Sequence, residues 1–363
     1  MMGTSTLSVR MTKRVGRFTL DANFEAQPGF TILFGASGAG KTTLLDCIAG
    51  LGKPDAGRIV IGDACVFDSE LGTDVSVQAR KFGYVFQDLA LFPHLTAEEN
   101  IRYGLARLPG EEQASRCSGM LQAFRIEHLR RRRPGEISGG ERQRVALART
   151  LVTDPRVLLL DEPLAALDAP AKAALIAGLR AWSQAHRVPI LYVTHSREEV
   201  FALGEQVVVL DQGKVIAQGS PHEVMTAPRI ETVAQLAGFE NILDAEVESI
   251  HEDRGTMTCR LSARVDLETP LIRAAVGTKL RVGIRAGDIL LATCAPVGLS
   301  ARNIIRGRIV ALIQRDVIMM ARVNCGVEME VQLTLAARDS LGLTEGKEVW
   351  LVVKTHSCHL LAE

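Results

Sequence analysis

Gly35-Ala36-Ser37-Gly38-Ala39-Gly40-Lys41-Thr42 fits the pattern G-x-x-x-x-G-K-[ST], and its flanks decide the fold. Before it, Gly29-Phe30-Thr31-Ile32-Leu33-Phe34 is an apolar run of the buried-strand type. After it, Thr43 to Ala49 reads as a short helix closed by Gly50. Glycines between a strand and a helix let successive backbone N–H groups turn toward one anion, and the helix N-terminus adds its partial positive charge. In such a loop the lysine reaches the β- and γ-phosphates and the hydroxyl ligates Mg²⁺. The stretch therefore predicts an α/β chain that holds a nucleoside triphosphate through Gly35, Ala36, Ser37, Gly38, Ala39, Gly40, Lys41, Thr42 and Thr43.

Three further apolar runs end in polar residues. Phe82 to Phe86 leads to Gln87, Val157 to Leu160 leads to Asp161-Glu162-Pro163, and Ile190 to Thr194 leads to His195. Continuous apolar strands are those of a parallel sheet, whose C-terminal edge carries the ligand. There Asp161 is placed to hold Mg²⁺ through water, and Glu162 to polarise an attacking water as general base. Neutral His195 can hydrogen-bond a γ-phosphate, and Gln87 can sense both Mg²⁺ and the water. Ser138 and Glu141 fit a capping box ahead of a helix from Arg144 to Val152. Gly139 and Gly140 at that helix start expose N–H groups for a second anion contact.

Bulk properties narrow the function classes. At 363 residues the chain has room for two or more domains, and 47% hydrophobic residues make it globular rather than disordered. Lysines and arginines balance aspartates and glutamates at 42 each, so no basic field supports nucleic-acid binding. No run of 18 apolar residues is present, and Met1 to Thr12 lacks a signal-peptide pattern. Seven scattered cysteines without a C-x-x-C suit free thiols in a reducing compartment. The run Arg130 to Arg133 reads as a solvated helix face ahead of Pro134-Gly135.

Taken in order, the phosphate loop, Gln87, Ser138-Gly139-Gly140, Asp161-Glu162, Ala166-Leu167-Asp168 and His195 resemble the ATP-binding cassette family across residues 1–235. The resemblance implies a P-loop NTPase with a RecA-like core and a helical subdomain at about 88–150. It implies ATP and Mg²⁺ as cofactors, with Lys41, Gln87, Glu162 and His195 catalytic and Thr42, Gln87 and Asp161 around the metal. In that family two cassettes dimerise head to tail, which assigns Ser138, Gly139, Gly140 and Asp168 to the partner subunit's ATP. Ile137 and Glu141 stand where the family usually has leucine and glutamine. Phe18 is the nearby aromatic for the adenine, or else a core residue of its own strand. Gln87 to Thr96, followed by Glu99-Asn100-Ile101, resembles the importer branch, whose helical subdomain docks a permease encoded as a separate chain.

The C-terminal third is different. Val327 to Leu333 alternates apolar and polar residues, as a half-buried antiparallel strand does, and Glu252 to Gly255 and Asn324 to Gly326 are hairpin-type turns. Asn241 to Val247 is repeated 62 residues on at Asn303 to Ile309, and Val282 to Ala286 is repeated 69 residues on at Leu351 to Thr355. This predicts two copies of one small OB-like β-barrel, TOBE-like at 236–292 and Mop-like at 293–363, packed on each other or against a partner's copies because neither has much core alone. Ser300 to Asn303, Ser340 to Leu343 and Val353-Lys354 resemble the molybdate-binding Mop module, with His356 departing from its pattern. That resemblance casts Ser300, Arg302, Asn303, Ser340 and Lys354 as oxyanion ligands and molybdate as a regulatory ligand. With the cassette ahead of it, the chain resembles the ATP-hydrolysing subunits of molybdate or tungstate importers. These are peripheral proteins on the cytoplasmic face of the inner membrane. They form a homodimer of cassettes on two permease chains, which meet a solute-binding protein. The alternatives are an importer ATPase for sulfate, ferric ion, polyamine or sugar, a soluble cassette ATPase, and a molybdate store or sensor.

Overall fold

Gly29–Phe34 is buried along its whole length, as are Val157–Asp161 and Pro189–Val193, and the three lie parallel in one sheet. Phe82–Val85 joins on one side and Gln206–Asp211 on the other, both parallel to their neighbours. A parallel arrangement puts all five C-terminal ends on one edge. The loop at Gly35, the turn at Gln87, Asp161 and the turn at His195 therefore meet there. The computed structural model describes residues 6–164, 167, 169–226, 228 and 230–361, which fall into two units, Met1–His222 and Glu223–Glu363.

The rest of the first unit's eleven-stranded sheet is antiparallel at its outer end, from Phe18–Ala26 out to Thr73–Asp74. Phe18–Ala26 shows the alternation expected of such a strand: Leu20, Ala22, Phe24 and Ala26 are buried, while Thr19, Asp21, Asn23 and Glu25 are exposed. The Lys41–Ala49 helix buries Leu44, Leu45 and Ile48 in one core with Leu7, Val9, Leu159 and Leu191. At roughly 2 kcal/mol for each leucine-sized side chain, this fixes the helix firmly. Its far end is closed by Gly50 at φ 85° and by Arg80, which is 2% exposed and donates to the carbonyls of Cys47 (3.1 Å) and Ile48 (2.7 Å). A cation there satisfies orphan carbonyls and complements the negative end of the helix dipole.

Helices Ala97–Arg102, Gly110–Ala123 and Gly139–Leu151 form a separate core around Ile101, Leu121, Ile126 and Val145. The last begins at Gly139, earlier than expected, because Ser138 caps it. The arginine run is solvated, but it is not a helix face. It bridges two short 3₁₀ turns, Glu127–Leu129 and Pro134–Glu136.

The second unit holds two five-stranded antiparallel sheets of matching design. Asn241–His251 answers to Asn303–Arg315, Thr256–Ser262 to Ile318–Asn324, and Lys279–Ile284 to Glu348–Val353. The unequal repeat spacing is explained by the helix Leu335–Ser340, inserted in the second copy after its third strand. The two copies exchange their last strands: Leu290–Ala292 pairs with Glu348–Val353, and His359–Leu361 pairs with Lys279–Ile284. One core runs through both copies, with Val247, Val282 and Leu267 beside Val323, Val331 and Leu351.

Candidate functional site

The phosphate loop owes its path to positions where a side chain does not fit. A Cβ on Gly35 would lie 2.2 Å from the Leu210 carbonyl oxygen, and Gly38 and Gly40 sit at φ 79° and 101°, in the left-handed region. Gly40 precedes the helix and packs against the Phe18 ring, where a Cβ would lie 2.9 Å from Cζ. Phe18 thus supports the loop from below while also lining the cleft above it, beside Val15. Ala39 is buried in the core under the loop, and Ala36 is exposed outside the cleft lining.

The cleft, about 460 Å³, is lined by Gly35, Ser37, Gly38, Gly40, Lys41, Thr42 and Thr43. Across from them stand Gln87, Asp161, Glu162 and His195. The expected residues of the cis half are therefore together. Lys41 is 8% exposed and donates to the carbonyls of Gly35 (2.9 Å) and Ala36 (2.8 Å). Burial lowers its pKa, and the nearby Glu162 and Asp161 carboxylates work the other way. Thr42 Oγ1 donates to Asp161 Oδ2 at 2.7 Å. Burial pushes the Asp161 carboxyl above its usual range, against the Thr42 hydrogen bond.

Glu162 follows Asp161 with φ 47°, a left-handed conformation unusual for glutamate, fixed by its N–H donating to the Val193 carbonyl at 3.1 Å. The twist brings Oε1 to 3.4 Å from His195 Nδ1, with the imidazole 71% exposed. Behind His195, Glu199 is buried and accepts from Tyr192 Oη (2.9 Å) and Thr194 Oγ1 (2.7 Å), and Lys172 pairs with it at 2.6 Å. This hub anchors the His195 turn. Its residues gave no sign in the sequence, since a lone glutamate in a polar helix start looks solvated. Arg80 was equally silent.

Ser138, Gly139 and Gly140 do not line this cleft. Ser138 is exposed at the head of its helix and exchanges hydrogen bonds with Glu141, whose carboxylate accepts the Ser138 N–H at 2.8 Å and hydroxyl at 2.9 Å. The hydrogen bonds from the Ser138 backbone and hydroxyl, and then His128, hold the Glu141 carboxyl below its usual range. A glutamate at this position is thus an N-cap partner as good as a glutamine. Asp168 lies outside the described residues.

The cleft fits a triphosphate with its divalent cation. Glycines leave room for phosphate oxygens, an ammonium stands at the loop, and a hydroxyl and a carboxylate offer adjacent hard oxygens of the kind Mg²⁺ takes.

In the second unit, Ser300, Arg302, Ser340 and Lys354 are exposed. Asn303 pairs with Val353 across the sheet, which sets Arg302 beside Lys354. Ser340 donates to the Ala337 carbonyl at its own helix end, and Arg302 lies 3.8 Å from Glu268. The Asn303 side chain is buried and engaged at both ends, accepting the Glu268 N–H at 2.7 Å and donating to the Glu268 carbonyl at 3.0 Å.

The ABC transporter family model matches residues 20–165, and the TOBE domain model matches residues 299–360. The chain is 39% identical to the molybdenum import ATP-binding protein ModC of Rhizobium etli, over 96% of this chain and 98% of that protein. It is 37% identical to the protein of the same name from Photorhabdus laumondii, over 97% and 99%. Among solved structures, it matches a dimeric ATP-binding cassette in a post-hydrolysis state bound to ADP and Pi. That match has TM-score 0.53 and 28% identity, covering 60% of this chain and 98% of that one. It also matches cbiO1 of Clostridium perfringens, part of the ABC transporter complex cbiONQ, with TM-score 0.54 and 28% identity over 62% and 91%.

Proposed function

The chain belongs to the ABC transporter family, among the molybdenum import ATP-binding proteins, and from that premise we propose that it is the ATP-hydrolysing subunit of a molybdate importer. The observation that carries the mechanism is the division of the site. Phosphate loop, Thr42–Asp161 and Glu162–His195 share one cleft, while the Ser138 helix start stands outside it.

Gly35 to Thr43 hold the triphosphate through backbone N–H groups and the Lys41 ammonium. Thr42 and Asp161, with Gln87, hold Mg²⁺, which neutralises phosphate charge when bound. Glu162 takes the proton of the attacking water, and His195, whose Nδ1 lies 3.4 Å from the Glu162 carboxylate, orients it and contacts the γ-phosphate. Ser138, Gly139 and Gly140, with Asp168, close on the ATP of a second copy, an arrangement supported by the dimeric cassettes the chain resembles. No helix among the described residues is long and apolar enough to cross a membrane. On the importer reading, the dimer works on two separate permease chains at the cytoplasmic face of the inner membrane, fed by a solute-binding protein. The second barrel takes molybdate as a regulatory ligand at the exposed cations Arg302 and Lys354 with Ser300 and Ser340, and Asn303 supplies the frame.

The test is uptake in proteoliposomes carrying the permease. Wild type is expected to drive ATP-dependent molybdate uptake. Glu162→Gln is expected to keep ATP binding and the ATP-bound dimer while turnover falls by roughly 10² or more, the size of a lost general base. Unchanged turnover would reassign the base, and uptake of sulfate in place of molybdate would reassign the cargo.

A further inference from the structure

The turn that carries Gln87 into the cleft leads straight into strained backbone. The Leu89 N–H closes the turn on the Phe86 carbonyl at 2.9 Å, and Gln87, between them, lines the cleft. Leu89 and Ala90 then follow one another at φ 63° and 42°. Left-handed backbone is disfavoured for any residue with a Cβ, so two such residues in succession persist only where the surroundings impose them.

Arg149, near the end of the Gly139–Leu151 helix, imposes them. Its Nη2 donates to the Leu89 carbonyl at 2.8 Å and its Nη1 to the Ala90 carbonyl at 2.7 Å. The half-buried guanidinium also lies over the Phe92 ring, 5.6 Å from its centroid. Burial lowers the Arg149 pKa, and Asp88 works the other way. Thr150, the next residue of the helix, is buried, and its hydroxyl reaches the Tyr84 carbonyl at 3.4 Å, in the strand that leads to Gln87. One helix end therefore holds both the strand and the backbone that follows the turn. A planar fork of donors gives two carbonyls one fixed geometry, which the ammonium of a lysine does not.

We propose that Arg149 is a positioning residue for hydrolysis, which seats Gln87 in the cleft by clamping the carbonyls of Leu89 and Ala90. The proposal rests on the reading of Gln87 as a contact of Mg²⁺ and the attacking water. Arg149 itself does not line the cleft, so it acts through the turn alone. Strain kept up beside a site residue marks a position that has to be held. Without the clamp, Leu89 and Ala90 are free to relax toward ordinary backbone, and the turn shifts with them. A displacement of about 1 Å at a reacting centre is enough to depress turnover severely.

The experiment is a double-mutant cycle on the full-length protein: wild type, Arg149→Met, Gln87→Ala and the pair, with Arg149→Lys alongside. Amide exchange is read first by mass spectrometry, without nucleotide or Mg²⁺. In Arg149→Met it is expected to quicken about tenfold or more across residues 86–91 and to stay at the wild-type level across residues 35–43, with Arg149→Lys between. In hydrolysis, Arg149→Met is expected to lower kcat about tenfold while the KM for ATP stays within about twofold. The same substitution is expected to cost little once Gln87 is alanine, because the clamp then has nothing to seat. Arg149→Lys should recover part of the lost turnover. An equal factor of loss with and without Gln87 overturns the proposal, and so does unchanged exchange across residues 86–91. Should Arg149→Met fail to fold, Arg149→Lys carries the same cycle. A Gln87→Ala protein with wild-type turnover overturns it differently, by rejecting the role of Gln87 on which it rests.

Discussion

Asn303 is 4% exposed, and its amide brackets the backbone of Glu268 in the other barrel copy; Asn241 does the same to Glu330, at 2.6 and 2.9 Å. A planar amide offers one acceptor and one donor in the spacing of a strand's own groups, so it closes a ladder that has no further strand. Asn303→Ala would leave those groups without a partner, at about 1–3 kcal/mol for each one left buried. We expect an Asn303→Ala protein to unfold its C-terminal unit at lower urea, with ATP binding unchanged. Wild-type stability would return Asn303 to the ligand role that its position suggests. The residue was visible in the sequence, but its partner was not, because an amide's target depends on pairing between distant segments. Lys41, Thr42 and Asp161 were legible together because loop spacing and the strand-end rule confine them. The left-handed backbone of Glu162 was not, since glutamate carries no preference for it.

Buried parallel strands announced themselves as continuous apolar runs, and Phe18–Ala26 and Glu328–Thr334 carry alternation. The three-residue strands Leu290–Ala292 and His359–Leu361 carry no periodicity, so their exchange could not be read. The second of them contains a titrating group. His359 sits opposite Gly283, with its ring 4.9 Å from the Phe239 ring, over which Arg285 lies at 4.4 Å. Burial, and then the Arg285 charge, hold the imidazole below its ordinary value of 6.5, with Asp288 opposing. Below pH 6.5 the unfolded chain therefore binds the proton more readily than the folded one. The stability from this residue is complete above that pH and is lost as pH falls through the folded value. We expect the urea midpoint of the C-terminal unit to drop between about pH 7 and pH 5.5 more steeply in wild type than in His359→Gln. Parallel pH profiles for the two proteins would remove His359 from the account.

At the scale of the molecule, the core of the second unit cannot be divided. Val247, Val282 and Leu267 of the first copy lie in one cluster with Val323, Val331 and Leu351 of the second. Each copy also lends its last strand to the other's sheet. The repeat in the sequence predicts copies packed on each other or on a partner's copies, because neither has much core alone, and in this chain the first arrangement is present. Domains of some 60 residues are marginal even when complete, and each copy here would lack a strand and the asparagine that brackets its edge. Residues 223–363 are therefore expected to fold on their own and to unfold in a single transition, whereas 223–292 and 293–363 expressed separately are expected to show no cooperative melting by circular dichroism. Mixed in equal amounts, the halves should recover strand signal, because each supplies what the other is missing. Cooperative melting of 223–292 alone would mean that the exchanged strands are an ornament on two independent barrels. The regulatory reading would then lose its mechanical basis, since an anion held at Arg302 and Lys354 could act on one barrel without being felt in the other.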